Sequence, residues 1–248
     1  MKNSTTRFSN RVSDYIKYRP HYPSQIIDIL QIETGLTSRH VIADIGAGTG
    51  ISSIPFIGNG NKVLAVEPNN KMREAASDLF RQYHTFVLIN ATAENTGLEQ
   101  NSVDYIFCGQ AFHWFDKQKT KTEFHRILKN NGHIVLAWNR RDEKDPFQQA
   151  YENLLRSSIP EYVRVNHKNI SDEQICEFLA PGTMHHQSLN NAQTFDFPGL
   201  MGRLKSSSYC PKEGRVYSLL EREMKKLFNQ FETDGEIVFL YQTDLYWA

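Results

Sequence analysis

Cysteine is scarce: Cys108, Cys176 and Cys210 are the only three in 248 residues, an odd number at wide spacing. That pattern fits neither a disulfide framework nor a paired metal knuckle, and points to reduced thiols in a reducing compartment. Net charge is lacking as well. The 28 Lys and Arg cancel the 28 Asp and Glu, and no block of five like charges occurs. Without a basic footprint, nucleic acid and anionic membrane are disfavoured as partners. No apolar stretch approaches the roughly 18 residues of a membrane span, and the start MKNSTTRFSNRVSDY has no apolar signal region. Internal repeats and low-complexity segments are missing. His185 and His186 have no acidic or Cys partner at metal spacing, so no metal site is expected. A cytosolic protein is implied, with monomer and homodimer both open.

Hydrophobic residues make up 40% and aromatics 12%, enough for one substantial core with a smaller elaboration. HVIADI (40–45), KVLAVE (62–67), FVLIN (86–90), VDYIFC (103–108) and HIVLAW (133–138) are short β-branched or aromatic runs without clean alternation, as strands buried on both faces should be. Helical stretches separate them, the clearest being Lys117 to Lys129, with Phe124, Ile127 and Leu128 on one stripe and a stop at NNG. Later come helices near 145–158 and 171–179, a sixth strand within 183–197, a helix near 213–231 and a last strand at 236–247. The stripe of the 213–231 helix is Val216, Leu219, Leu220, Leu227, Phe228 and Phe231. Ahead of the sheet, 7–18 reads as a short helix, and Ser24 as the N-cap of another carrying Ile26, Ile27 and Leu30. The fold class expected is α/β, a doubly wound seven-stranded, mostly parallel sheet. An N-terminal helical segment (1–35), an α/β core (36–140) and a C-terminal part with cap helices (141–248) divide the chain.

The stretch VIADIGAGTGI (41–51) ends a buried strand in an acid and then in three alternate glycines. Glycines there let the backbone turn tightly against a ligand, while the following helix offers free N–H groups. The next strand ends in Glu67, placed to accept hydrogen bonds from two ribose hydroxyls. A nicotinamide fingerprint would continue G-x-G-x-x-G, but Ile51 stands where its last glycine belongs.

Asp44-x-Gly46-x-Gly48-x-Gly50 instead resembles the first motif of class I S-adenosylmethionine-dependent methyltransferases. EPNNKM (67–72), ATAENTG (91–97) and VDYIFCGQAFHWFD (103–116) resemble their later cofactor segments in order. Thr92 stands where many members carry Asp. The opening FSNRVSDYIKYRPHYP and the AWNRRD end of strand five are similar to the small-molecule group around trans-aconitate methyltransferases, over about residues 7–156. The resemblance implies a Rossmann-like methyltransferase fold, S-adenosylmethionine as cofactor, the opening segment as a lid, and a small-molecule acceptor, the organic acid of that group pointing to a carboxylate. It implies cofactor contacts from Asp44, Gly46, Ala47, Gly48 and Gly50, from Glu67, Pro68 and Met72, and from Thr92, Ala93 and Glu94. Gln110, Ala111 and Arg19 complete that set. Substrate contacts fall to Tyr15, Tyr22, His113, Trp114, Trp138 and Arg140.

Simpler roles compete at several of these positions. Glu67 before Pro68 also suits a helix N-terminus, where an acid is favourable. His113 among Phe112, Trp114 and Phe115 suits packing, although His is the usual general base when one is needed. Arg140 and Arg141 suit a solvated loop, but they end the fifth strand, where open α/β sheets meet ligands. GQAF (109–112) replaces the [N/D]-P-P-[Y/F] segment of enzymes that methylate exocyclic base nitrogens. The rival readings are a nucleotide-dependent oxidoreductase and a non-catalytic module that binds S-adenosylmethionine.

Overall fold

Runs of β-branched and aromatic residues bury both faces of a sheet only if helices cover each side. The computed structural model, which describes residues 12–159, 162, 170–211 and 213–248, has that arrangement. Strands β1 (Val41–Ile45), β2 (Lys62–Val66), β3 (Phe86–Ile89), β4 (Val103–Gly109), β5 (Leu128–Arg141), β6 (His185–Phe195) and β7 (Ile237–Trp247) form one sheet in the order β3-β2-β1-β4-β5-β7-β6. The first five are parallel, and β7 runs antiparallel between β5 and β6. Strand order reverses between β1 and β4, the point where open α/β sheets leave a crevice for a ligand.

Successive residues feed opposite faces. On β4, Phe107 joins Ile42, Phe56 and Leu30 on one side, while Ile106 and Cys108 join Ala43, Phe124 and Trp138 on the other. Phe107 is fully buried, edge-on to Phe56 and Tyr22 with ring centroids 5.0 and 5.7 Å away. A third cluster joins α6 (Pro146–Ser158), α8 (Phe197–Lys205) and α9 (Arg215–Phe231) to Phe239 and Tyr241 of β7. Helix α6 precedes β6, while α8 and α9 lie between β6 and β7.

Several expectations shift. The helix beginning at Lys117, α5 (Lys117–Ile127), ends before Leu128, and NNG is absorbed into an irregular start of β5, where the pairing with β4 changes register. Ser24 precedes α2 (Gln25–Thr34) but its side chain makes no capping bond. On α9 the buried residues are Leu220, Met224 and Phe228, spaced by four, while Val216 and Leu219 are exposed. Helix α8 was not foreseen, although Asp196 caps it by accepting from Gly199 N at 2.7 Å and Pro198 sits in its first turn. The opening helix is described from α1 (Val12–Tyr18); residues 7–11, with Phe8, lie outside the described residues. The Tyr18 ring of α1 lies where a Cβ on Gly202 of α8 would stand, 2.1 Å from the nearest ring atom, so this glycine lets opening helix and cap touch. Among the described residues, no helix is long and apolar enough to cross a membrane.

Candidate functional site

One cavity of about 1010 Å³ opens at the strand-order reversal, large for a single small ligand. The glycine turn after β1 forms one wall. Gly46 and Gly48 both have positive φ, 72° and 59°. Gly46 is pressed against the next loop, since a Cβ would stand 2.6 Å from Ala111 Cβ. Gly48 differs: a Cβ there would meet nothing within 4 Å and would project into open space beside the cavity it lines.

Glu67, just past β2, is buried and lines the cavity beside Pro68 and Met72. Its carboxylate accepts from Gly48 N at 2.9 Å and from Asn69 N at 2.7 Å. Burial raises its pKa, the two backbone donors opposing that shift. Asn69, not Glu67, supplies the side-chain cap of α4 (Asn70–Leu79), accepting from Met72 N at 3.1 Å.

Thr92, Ala93 and Glu94 follow β3 and line the same space. Glu94 accepts from Asp116 N at 3.0 Å, tying this loop to the start of α5. After β4, Gln110 holds a left-handed backbone at φ 58°, an uncommon state for a residue with a side chain. Its amide donates to the Asn139 carbonyl at 2.8 Å, which sets the path of Ala111, His113 and Trp114 along the wall.

Tyr15, Arg19 and Tyr22 close the cavity from the opening segment, and Trp138 and Arg140 from β5. Arg140 is engaged, its Nε 3.0 Å from Asp244 Oδ2 on β7. Arg141 pairs with Glu152 of α6 and donates to Tyr162.

Two expected residues stay off the cavity wall. Asp44 is fully buried behind the turn, where Ser52 and Ser53 hydroxyls each donate to Oδ2 at 2.6 Å. Gly50 packs on Phe80, whose ring would lie 2.4 Å from an added Cβ. Conversely, Arg203, Ser207, Ser208 and Tyr209 line the cavity from α8 and the loop after it, and sequence reasoning did not reach them. The D-F-P-G start of α8 was the available signal. His186 gains an acidic neighbour from β7, Asp244 at 3.2 Å, but no metal-holding cluster occurs among the described residues.

Residues 43–136 match the family described as Methyltransferase domain. This stretch is thus similar to a methyltransferase domain. Over 149 residues the chain is 34% identical to an uncharacterized methyltransferase of Schizosaccharomyces pombe, covering 60% of this chain and 58% of that protein. The chain therefore spans about three fifths of the length of that curated relative. Among solved structures, a candidate methyltransferase ascribed to an antibiotic biosynthesis pathway of Anabaena variabilis has a TM-score of 0.63 at 22% identity, covering 94% of this chain and 98% of that one. A candidate type II methyltransferase from Anaeromyxobacter dehalogenans has a TM-score of 0.62 at 19% identity, covering 93% and 96%. The fold is shared with both.

The cofactor indicated for such a domain is S-adenosylmethionine, and the methyltransferase domain's residues fit it. Gly48 leaves room for a ligand against the backbone, Glu67 offers two acceptor oxygens, and Arg19 Nε is buried without a hydrogen-bond partner among the described residues. Two substitutions separate space from strain. Gly48→Ala should cost only about 1–2 kcal/mol of stability, for a left-handed backbone with a side chain, yet weaken binding of the demethylated product, S-adenosylhomocysteine, at least about tenfold. Gly50→Ala adds a collision with Phe80 and should lower the melting temperature more. Paired thermal melts and calorimetric titrations distinguish the two; equal stability losses would contradict the assigned spaces.

Proposed function

We propose that the chain is an S-adenosylmethionine-dependent methyltransferase acting on a small polar molecule, an organic acid of the kind taken by the trans-aconitate group being the favoured class. The observation that carries this reading is the gathering of the glycine turn, Glu67, the 92–94 loop and the 110–114 loop around one cavity that continues beneath the cap. Residues 36–140 serve as cofactor core, 1–35 as lid and 141–248 as the part that encloses the acceptor.

In this proposal Glu67 takes the ribose hydroxyls, the glycine turn faces the nucleoside, Met72 with Thr92, Ala93 and Glu94 borders adenine, and Arg19 takes the cofactor carboxylate. Gln110 and Ala111 border the methionine part. S-adenosylmethionine supplies a methyl group already activated by its sulfonium. What remains for the chain is to hold a nucleophile in line and exclude water, and proximity of that kind supplies most of the acceleration. Tyr15, Tyr22, Trp114 and Trp138 give the acceptor an aromatic enclosure. A carboxylate acceptor, with an ordinary pKa near ~4, is ionised at neutral pH and needs no base. For a phenol or an amine, His113 on the cavity wall is the candidate base.

Acids, phenols and amines incubated with methyl-labelled cofactor test the acceptor class: label should pass to small acids, and transfer only to large polymers would contradict the reading. The lid has its own test. Closing segments belong to the less stable parts of a fold. Hydrogen exchange across residues 7–23 should show strong new protection when S-adenosylhomocysteine is added. Equal protection with and without it would leave the segment a fixed flap.

A further inference from the structure

Two guanidinium groups line the cavity beneath the cap, and among the described residues no carboxylate pairs with either. Arg203 on α8 is only 7% exposed; its Nε donates to the Tyr241 hydroxyl at 3.0 Å and its Nη1 to Ser207 Oγ at 3.2 Å, both neutral acceptors. Arg19 donates Nη2 to the Ser206 carbonyl at 3.0 Å and keeps its Nε unpartnered. The other two arginines of the cavity have acids, Asp244 for Arg140 and Glu152 for Arg141; among the described residues neither Arg19 nor Arg203 forms an ion pair. Burial and the charge of Arg203 both lower the pKa of Arg19, whereas at Arg203 burial is outweighed by Tyr241, Tyr151 and Tyr209, which raise it. Tyr209 lies in the same corner, close enough to act on Arg19, Arg141 and Arg203.

Buried charges are ordinarily paired, and an unmatched one is destabilising until a counter-charge arrives. A planar fork of donors beside open space suits a carboxylate. Resting on the methyltransferase reading, in which Arg19 is taken by the cofactor's carboxylate, the geometry points to Arg203 as the residue that selects the acceptor. It grips a carboxylate that the acceptor carries in addition to the atom receiving the methyl group. Arg140, the grip that sequence position suggested, is neutralised by Asp244. Ser207 and Tyr209 line the cavity beside Arg203 and complete the acidic end of the site.

The test compares the full chain with Arg203→Met and Arg203→Lys. Each is saturated with S-adenosylhomocysteine and then titrated with succinate, glutarate, citrate and their uncharged amides. In the native chain the acids, not the amides, should raise the melting temperature. Arg203→Met should bind S-adenosylhomocysteine as before, melt no lower than the native chain, and bind the acids at least about tenfold more weakly. Arg203→Lys keeps the charge without the fork and should also bind them more weakly, which preserves the comparison if the Met variant does not fold. Equal acid shifts in native and variant chains overturn the assignment, as does the absence of any acid shift in the native chain. A Met variant that melts lower yet keeps the shift makes Arg203 a structural tie and overturns it too. Failure of S-adenosylhomocysteine to bind the native chain is a separate result that overturns the cofactor reading itself.

Discussion

Glu67→Ala is expected to weaken binding of S-adenosylhomocysteine by about 2–4 kcal/mol, roughly 30- to 1,000-fold, because two hydrogen bonds to a charged acceptor are lost. The structure places this carboxylate at the meeting of two turns, accepting from Gly48 N on one side and Asn69 N on the other. Its position is braced from behind, where Arg73 Nη1 donates to the Glu67 carbonyl at 2.8 Å. Removing the carboxylate therefore affects the glycine turn as well as the ligand. Glu67→Gln separates the two effects, since it keeps the side-chain volume and one acceptor oxygen, and its affinity should fall between those of the native chain and the Ala variant. Calorimetric titration reads both, and unchanged affinity in Glu67→Ala would exclude the ribose role.

The second large effect is a pH dependence. Asp44 is fully buried, and burial pushes its pKa from 3.8 up to about 6 in spite of the two serine hydroxyls that donate to it. A carboxyl whose folded pKa is raised contributes stability that is complete below its unfolded pKa and is lost as pH rises through the folded value. Between pH 3.8 and 6 the native chain should thus lose about 3 kcal/mol from this group. Asp44→Asn keeps an acceptor for the serines and cannot ionise. Denaturant unfolding of both chains across this range should show the native chain falling relative to the variant as pH rises. A constant difference between them would mean that Asp44 does not titrate there.

The sheet was legible because its strands are buried on both faces and carry β-branched and aromatic runs. FVLIN and VDYIFC differ little from β3 and β4 as found. The glycine turn was legible for a related reason: left-handed backbone at Gly46, Gly48 and Gly50 demands glycine, so the need is written in residue type. Less legible were features that depend on pairing across the sheet. Arg140 faces Gln242 in the register of β5 and β7, which brings Asp244 within 3.0 Å, and no spacing in the chain announces that contact. Helix α8, FPGLMGRLK, is short and contains two glycines, one of them admitting Tyr18, so its composition argues against a helix while its packing requires one. Arg203 consequently stood out in no sequence pattern, although it is among the most buried cations of the described fold. The exposed Val216 and Leu219 misled in the opposite sense, because the stripe of α9 is set by Leu220, Met224 and Phe228.

A crystal structure with S-adenosylhomocysteine bound would decide how the cavity holds its cofactor. The nucleoside should lie against the glycine turn, with both ribose hydroxyls donating to Glu67 and the amino-acid carboxylate at Arg19. Ligand density elsewhere on the chain, or a nucleoside in this cavity turned away from Glu67, would contradict it.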